Sequence, residues 1–255
     1  MTVYVRGDFH ANKMDIKSTI DRIENPKEED IIIVCGDASL EYGNYTMGSC
    51  RKIMSKFPGT WLIMRGNHDN TYWKNHTTET KDGLVPQDGW DFSDKFFEIT
   101  LYQKKYPNIH YIDDSGGIYD IDGHCIIFYP GACSVDKGYR IAYNLPYEYN
   151  EQLSYLEFER LNKLTMGNKD DIEFVFSHTC PMSAEPLVKY LFMNGLDQSK
   201  IDKTTEKWLD IYYKHLLDGK NFKHWFFGHF HDDKELDDTF TIVNNGLLRL
   251  ENYGK

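Results

Sequence analysis

Ile31-Ile32-Ile33-Val34-Cys35-Gly36-Asp37 is the stretch on which the reading of this chain turns. Four aliphatic β-branched residues in succession have the composition of a strand covered on both faces, and a glycine followed by a carboxylate ends the run. The same pattern recurs on either side of it. Val3-Tyr4-Val5 leads through Arg6 into Gly7-Asp8-Phe9-His10, and Trp61-Leu62-Ile63-Met64 leads into Arg65-Gly66-Asn67-His68-Asp69. Further on, Phe174-Val175-Phe176-Ser177 runs into His178, and Trp225-Phe226-Phe227 into Gly228-His229-Phe230-His231. A sixth run, Ile126-Ile127-Phe128, carries no motif of this type. Between the runs lie residues at helical spacing: Ile16, Ile20 and Ile23; Cys50, Ile53, Met54 and Phe57; Leu153, Leu156, Leu161 and Leu164; Trp208, Ile211, Tyr212 and His215. Strands alternating with helices predict a layered α/β fold, and the motifs fall at the C-terminal strand ends, where open α/β sheets place their sites.

The residue types in these motifs are metal ligands. Residues two apart in extended chain point the same way, so Asp8 and His10 converge on one ion. Asp37 offers two oxygens that can bridge two cations. Asn67 can ligate through its amide oxygen while His68 projects elsewhere, and His229 and His231 repeat the two-residue spacing with imidazoles. Each motif alone is a common accident. Together, in order, each behind a strand, they use half of the ten histidines in the chain, and that joint occurrence carries the functional reading.

Asp8-x-His10, Gly36-Asp37, Gly66-Asn67-His68-Asp69, His178 and Gly228-His229-x-His231 resemble the signature of the calcineurin-like metallophosphoesterase superfamily over residues 7–231. The resemblance implies a central β-sandwich flanked by helices, with a dinuclear metal site in loops at the strand ends. Carried over by position, Asp8, His10 and His231 would hold one ion, Asn67, His178 and His229 the other, and Asp37 would bridge them. His68 would stay unliganded beside the substrate as the catalytic histidine. The implied activity is metal-dependent hydrolysis of phosphodiester or phosphomonoester bonds through a metal-bridging hydroxide. Imidazole, carboxylate and amide ligands without thiolate suit two divalent transition-metal ions, manganese or iron first, with zinc, nickel or cobalt as alternatives.

The sequence departs from the protein Ser/Thr phosphatase branch, whose second motif resembles Gly-Asp-x-Val-Asp-Arg-Gly. Here it reads Gly36-Asp37-Ala38-Ser39-Leu40-Glu41-Tyr42-Gly43, without the Asp-Arg pair. The departure favours a nucleotide-type or small phosphorylated substrate over a phosphoprotein, and it makes Glu41 or Asp69 the candidate acidic partner of His68. A phosphoesterase-like binding scaffold without turnover is the reading from another class, and it would be marked by a lost ligand or a lost His68. Neither loss occurs.

At 255 residues the chain is expected to form a single domain over 1–255, with rim loops at about 70–95 and 131–150 that carry Trp73, Trp90, Tyr139, Tyr143, Tyr147 and Tyr149. Arg65, Lys137 and Arg140 are candidate phosphate contacts in motif or rim segments. A net charge of −11 argues against an extended nucleic-acid surface. No apolar stretch reaches membrane-spanning length. Five scattered cysteines without a C-x-x-C pair fit reduced thiols, so the expected setting is cytoplasmic. The oligomeric state is open at this level.

Overall fold

A computed structural model of the chain describes residues 1–43, 45–145, 147–188 and 201–254. In chain order its strands are β1 Val3–Arg6, β2 Ile31–Val34, β3 Glu41–Tyr42, β4 Tyr45–Thr46, β5 Thr60–Ile63, β6 Thr77–Thr80, β7 Gly83–Pro86, β8 Trp90–Ser93 and β9 Thr100–Gln103. They continue as β10 Ile109–Tyr111, β11 Gly117–Ile121, β12 His124–Tyr129, β13 Phe174–Ser177, β14 His224–Phe227, β15 Lys234–Glu235, β16 Phe240–Ile242 and β17 Leu248–Arg249. The α-helices are α1 Lys13–Asp21, α2 Gly48–Met54, α3 Tyr72–His76, α4 Lys137–Ala142, α5 Tyr155–Asn168 and α6 Thr204–Leu217.

Two sheets face each other. One has seven strands in the order β17-β1-β2-β5-β10-β9-β8, the other six in the order β11-β12-β13-β14-β16-β15. The centre of each is parallel: β1, β2, β5 and β10 in the first, and β12, β13, β14 and β16 in the second. Because successive side chains in a strand point to opposite faces, every central run feeds two cores. Val3, Val5, Ile31, Ile33, Leu62 and Met64 point inward to meet Tyr119, Ile126, Phe128, Phe174, Phe176 and Phe226 of the other sheet. Tyr4, Ile32, Val34, Trp61 and Ile63 point outward to Ile16 of α1 and Cys50 and Met54 of α2. On the far side Ile127, Tyr129, Val175, Trp225 and Phe227 meet Phe158 and Leu161 of α5 and Leu209, Tyr212 and Leu216 of α6. Burial on both faces is the reason the runs read as unbroken hydrophobic stretches instead of alternating ones.

Two of the helices, α1 and α5, begin where polar caps satisfy their first N–H groups. The Asn12 side chain accepts from the backbone N–H groups of Met14 and Asp15 at the start of α1, and Ser154 with Glu157 forms a capping box on α5. The Trp61 indole donates to the Met54 carbonyl at 2.9 Å, which fixes the end of α2 on β5. No helix among the described residues is long and apolar enough to cross a membrane.

The stretch expected as an irregular rim at 70–95 is ordered. It folds as α3, the β6–β7 hairpin and the edge strand β8. Trp73 and Trp90 lie 7% and 5% exposed in the core behind the first sheet, not at a rim. The hairpin escaped a reading based on apolar runs because Thr77-Thr-Glu-Thr and Gly83-Leu-Val-Pro lie mostly on the surface, so nothing demands hydrophobic residues there. The segment 131–150, by contrast, contributes only α4, none of whose residues is buried. Leu156 is also turned outward from α5, at 78% exposure.

Between β10 and β11 the chain passes from one sheet to the other and carries Asp114, only 9% exposed. One carboxylate oxygen accepts from the backbone N–H of Lys74 at 3.0 Å; the other has no hydrogen-bond partner among the described residues. Burial pushes this carboxyl from its ordinary 3.8 up to about 7, against the pull of Arg65. A carboxyl raised by folding carries no penalty below about pH 4 and a growing one as pH rises to about 7. Asp114→Asn is therefore expected to melt with the wild type at pH 4 and to exceed it in stability by about 2–4 kcal/mol at pH 8, as read by urea unfolding at the two pH values.

Candidate metal centre

The C-terminal ends of β1, β2, β5, β13 and β14 open at one edge of the sandwich, and their loops are stitched to one another through the backbone. Phe9 and His10 both donate their N–H groups to the Asp37 carbonyl, at 3.0 and 2.9 Å, and Ala11 donates to that of Ala38. His68 donates its backbone N–H to Asp37 Oδ1 at 2.7 Å. The backbone N–H of His229 points at both oxygens of Asp8, 3.2 Å from each. His10, Asp37, His229 and His231 all have positive φ, between 44° and 66°, a conformation costing about 1–2 kcal/mol for a non-glycine residue.

All seven residues predicted as ligands come together. His231 Nε2 lies 2.9 Å from His10 Nε2 and 3.3 Å from Asp8 Oδ2. His178 Nε2 and His229 Nδ1 stand 2.8 and 3.0 Å from Asn67 Oδ1. Asp37 Oδ2 lies between the two groups, 3.7 Å from His10 Nε2 and 3.4 Å from His178 Nε2. Donor atoms bound to one cation at about 2.1 Å stand about 3.0–3.4 Å apart in tetrahedral or octahedral arrangements, so these separations fit shared cations. Asp8, His10 and His231 form one donor set, and Asp8, Asp37 and His178 another that overlaps it. His178 Nδ1 lies 2.8 Å from the Cys35 carbonyl; donating there leaves Nε2 as its ligating atom.

The charges are arranged accordingly. Burial disfavours ionised Asp37, but His178, His68 and His10 outweigh it and hold the carboxyl below its usual range. Burial also disfavours charged His178, yet Asp37 and Asp8 raise it to about 9. His231 is raised by its hydrogen bond to Asp8, whereas burial and the neighbouring His178 push His229 well down.

His68 is half-buried, with its ring 5.2 Å from that of His10 and 5.1 Å from that of Tyr42. Burial lowers its pKa while Asp37 opposes the shift. Neither Glu41 nor Asp69 is its partner. Glu41 is bound to Arg51 at 2.6 Å and His76 at 2.7 Å. Asp69 accepts from Ser39 N–H, Gly66 N–H and the Tyr72 hydroxyl, tying the second and third motifs together. Both carboxylates point into the protein because they satisfy buried donors there.

The three candidate phosphate contacts are placed differently. Arg65 is 2% exposed and donates to the backbone carbonyls of Asn150, Glu151 and Asp114, while its own carbonyl accepts from Gly131. Arg65 thus holds both ends of the 131–151 segment, one through its guanidinium and the other through its backbone carbonyl. Lys137 pairs with the buried Glu151 at 2.9 Å. Arg140 is held by Asp136 at 2.7 Å and lies 5.6 Å over the Tyr42 ring, which is also in contact with His68. Tyr42 and Ser134, whose Oγ is 2.9 Å from Asn67 Nδ2, are site residues that motif reasoning missed. The available signal for Ser134 was positional: it follows the sixth apolar run, β12, which is parallel to β13 and opens at the same edge.

Glycines in the motifs leave room for ligands from other motifs. A Cβ on Gly36 would meet the His178 ring at 2.3 Å, one on Gly228 would meet Asp8 Oδ1 at 2.3 Å, and one on Gly66 would meet Asp37 Oδ1 at 2.2 Å and its backbone nitrogen at 2.5 Å. Gly66→Ala is expected to displace Asp37, lowering metal affinity at least about tenfold and stability by about 1–3 kcal/mol, measured by metal analysis after dialysis and by urea unfolding.

The family model described as calcineurin-like phosphoesterase matches residues 1–233. No curated protein matches the sequence. A match over that span, together with the sandwich and the convergent donors at its edge, means that the chain belongs to the calcineurin-like phosphoesterase family of metal-dependent phosphate-ester hydrolases.

Proposed function

We propose that the protein is a dinuclear phosphoesterase acting on a small phosphorylated substrate of nucleotide type, with phosphodiesters preferred. The observation that carries this reading is the position of Asp37 Oδ2 between His10 and His178, one carboxylate oxygen facing both donor groups. Asp8, His10 and His231 would hold one cation, Asn67, His178 and His229 the other, with Asp37 shared. Two bound cations supply Lewis acidity at the phosphoryl oxygens and lower the pKa of a water for in-line displacement. Manganese or iron is the favoured occupant, and the imidazole-rich donors also accept zinc, nickel or cobalt.

The chain's own groups shape the rest. His68, anchored through its backbone N–H to Asp37, carries a ring N–H even when neutral, so it can donate to a phosphoryl or leaving-group oxygen. Arg140 extends the positive wall beside it, held by Asp136 and stacked over Tyr42. The exposed rings of Tyr139, Tyr143 and Tyr149 supply flat apolar surface of the kind on which a nucleobase stacks. A phosphoprotein substrate is disfavoured because Glu41 is occupied by Arg51 and His76, and no Asp-Arg pair follows Asp37. Five free cysteines suit a reducing cytoplasm.

The test is hydrolysis of bis-p-nitrophenyl phosphate beside p-nitrophenyl phosphate, with Mn, Ni, Zn or chelator. The expected outcome is metal-dependent turnover favouring the diester, abolished by chelator and by Asp37→Asn, with kcat about 10²–10⁴-fold lower in His68→Ala. Equal rates with chelator, or in His68→Ala, would sink the mechanism. A monoester preference would redirect the substrate class.

A further inference from the structure

We infer that Ser134 is a positioning residue that holds the Asn67 amide with its oxygen toward the metal centre. The inference rests on the two-metal reading and adds to it a group that no ligand motif contains. Asn67 is 2% exposed, so its amide cannot be satisfied by bulk water. Its Oδ1 faces His178 Nε2 and His229 Nδ1, at 2.8 and 3.0 Å. Its Nδ2 donates to Ser134 Oγ at 2.9 Å, and Ser134 is itself 2% exposed.

An asparagine has two ways to lie in such a slot, and only one presents a lone pair to a cation. In that orientation the NH2 group faces away from the centre and must find an acceptor, because an unsatisfied buried donor is costly. Ser134 Oγ is that acceptor. Without it the ligating orientation strands an NH2 group, and the reversed orientation, which directs two N–H donors at the imidazole nitrogens, becomes competitive. His178 cannot compensate by turning over, since its Nδ1 is engaged at the Cys35 carbonyl. Ser134 stands on the segment that Arg65 ties down through Gly131, Asn150 and Glu151. The Ser134 hydroxyl thus links the rim segment directly to a donor side chain of the centre.

The experiment is Mn titration of the metal-free protein by calorimetry, with electron paramagnetic resonance to separate coupled ion pairs from single ions. His10→Ala and His178→Ala serve as spectral references for each half of the centre. Wild type is expected to give a coupled pair. Ser134→Ala is expected to bind one Mn with unchanged affinity and the second about 10–100-fold more weakly, with the single-ion spectrum of His178→Ala. In the Asn67→Asp background, where no N–H needs an acceptor, Ser134→Ala is expected to change the second affinity less than about threefold, an outcome that a general loosening of the loop would not produce. Wild-type affinity for both ions in Ser134→Ala, or equal weakening of both, would overturn the inference while leaving the two-metal reading intact. Wild-type protein that takes up no Mn would overturn both.

Discussion

Asp37 is the residue through which the other motifs are positioned. Its carbonyl takes the N–H groups of Phe9 and His10, its Oδ1 takes that of His68, and its Oδ2 faces His10 and His178. It is 1% exposed, so its charge is tolerable only among cations or protonated imidazoles. Two sheets must bring their parallel strands to a common edge for this to happen, since His10 and His68 come from one sheet and His178 from the other. The double-sided burial of the central strands fixes that edge. A strand sealed by an outer helix layer on one face and by the opposite sheet on the other has no freedom to shift its C-terminal end.

The centre stores backbone strain. Four of its residues lie in the left-handed region, and three of them, His10, His229 and His231, carry imidazoles that would point elsewhere from an extended backbone. The strain persists because it is over-determined. Asp8 binds the backbone of His229, and Asp233 accepts from Asn244, Asn245 and Gly246, bracing the turn after the last motif. The orientation of these side chains is thus fixed by the chain's own contacts.

Most of this was legible in the sequence, for a physical reason. Central strands buried on both faces must be apolar throughout, and the loops that follow must carry ligands, so Ile31–Asp37 and its counterparts announce both fold and site. The β6–β7 hairpin was not legible because its exposed strands owe nothing to hydrophobic patterning. Trp73 and Trp90 sit in the same segment, and it is the order of α3 and β8 that turns their indoles into the core. Arg65 looked like a phosphate ligand by residue type, and only the fold shows its guanidinium spent on three backbone carbonyls. Ser134 belongs to no motif and is marked only by following β12; its importance comes from facing Asn67, 67 positions earlier in the chain.

Helix α4 buries none of its residues; Lys137 pairs with Glu151, just beyond the segment's end, and Arg140 meets Asp136 and the Tyr42 ring. The fold therefore places almost no packing demand on its sequence. Substitutions along its outer face disturb no core, so the helix can vary while the buried strands and the loops at their ends stay as they are. The surface beside the strand ends and the core beneath them are thus under separate physical constraints.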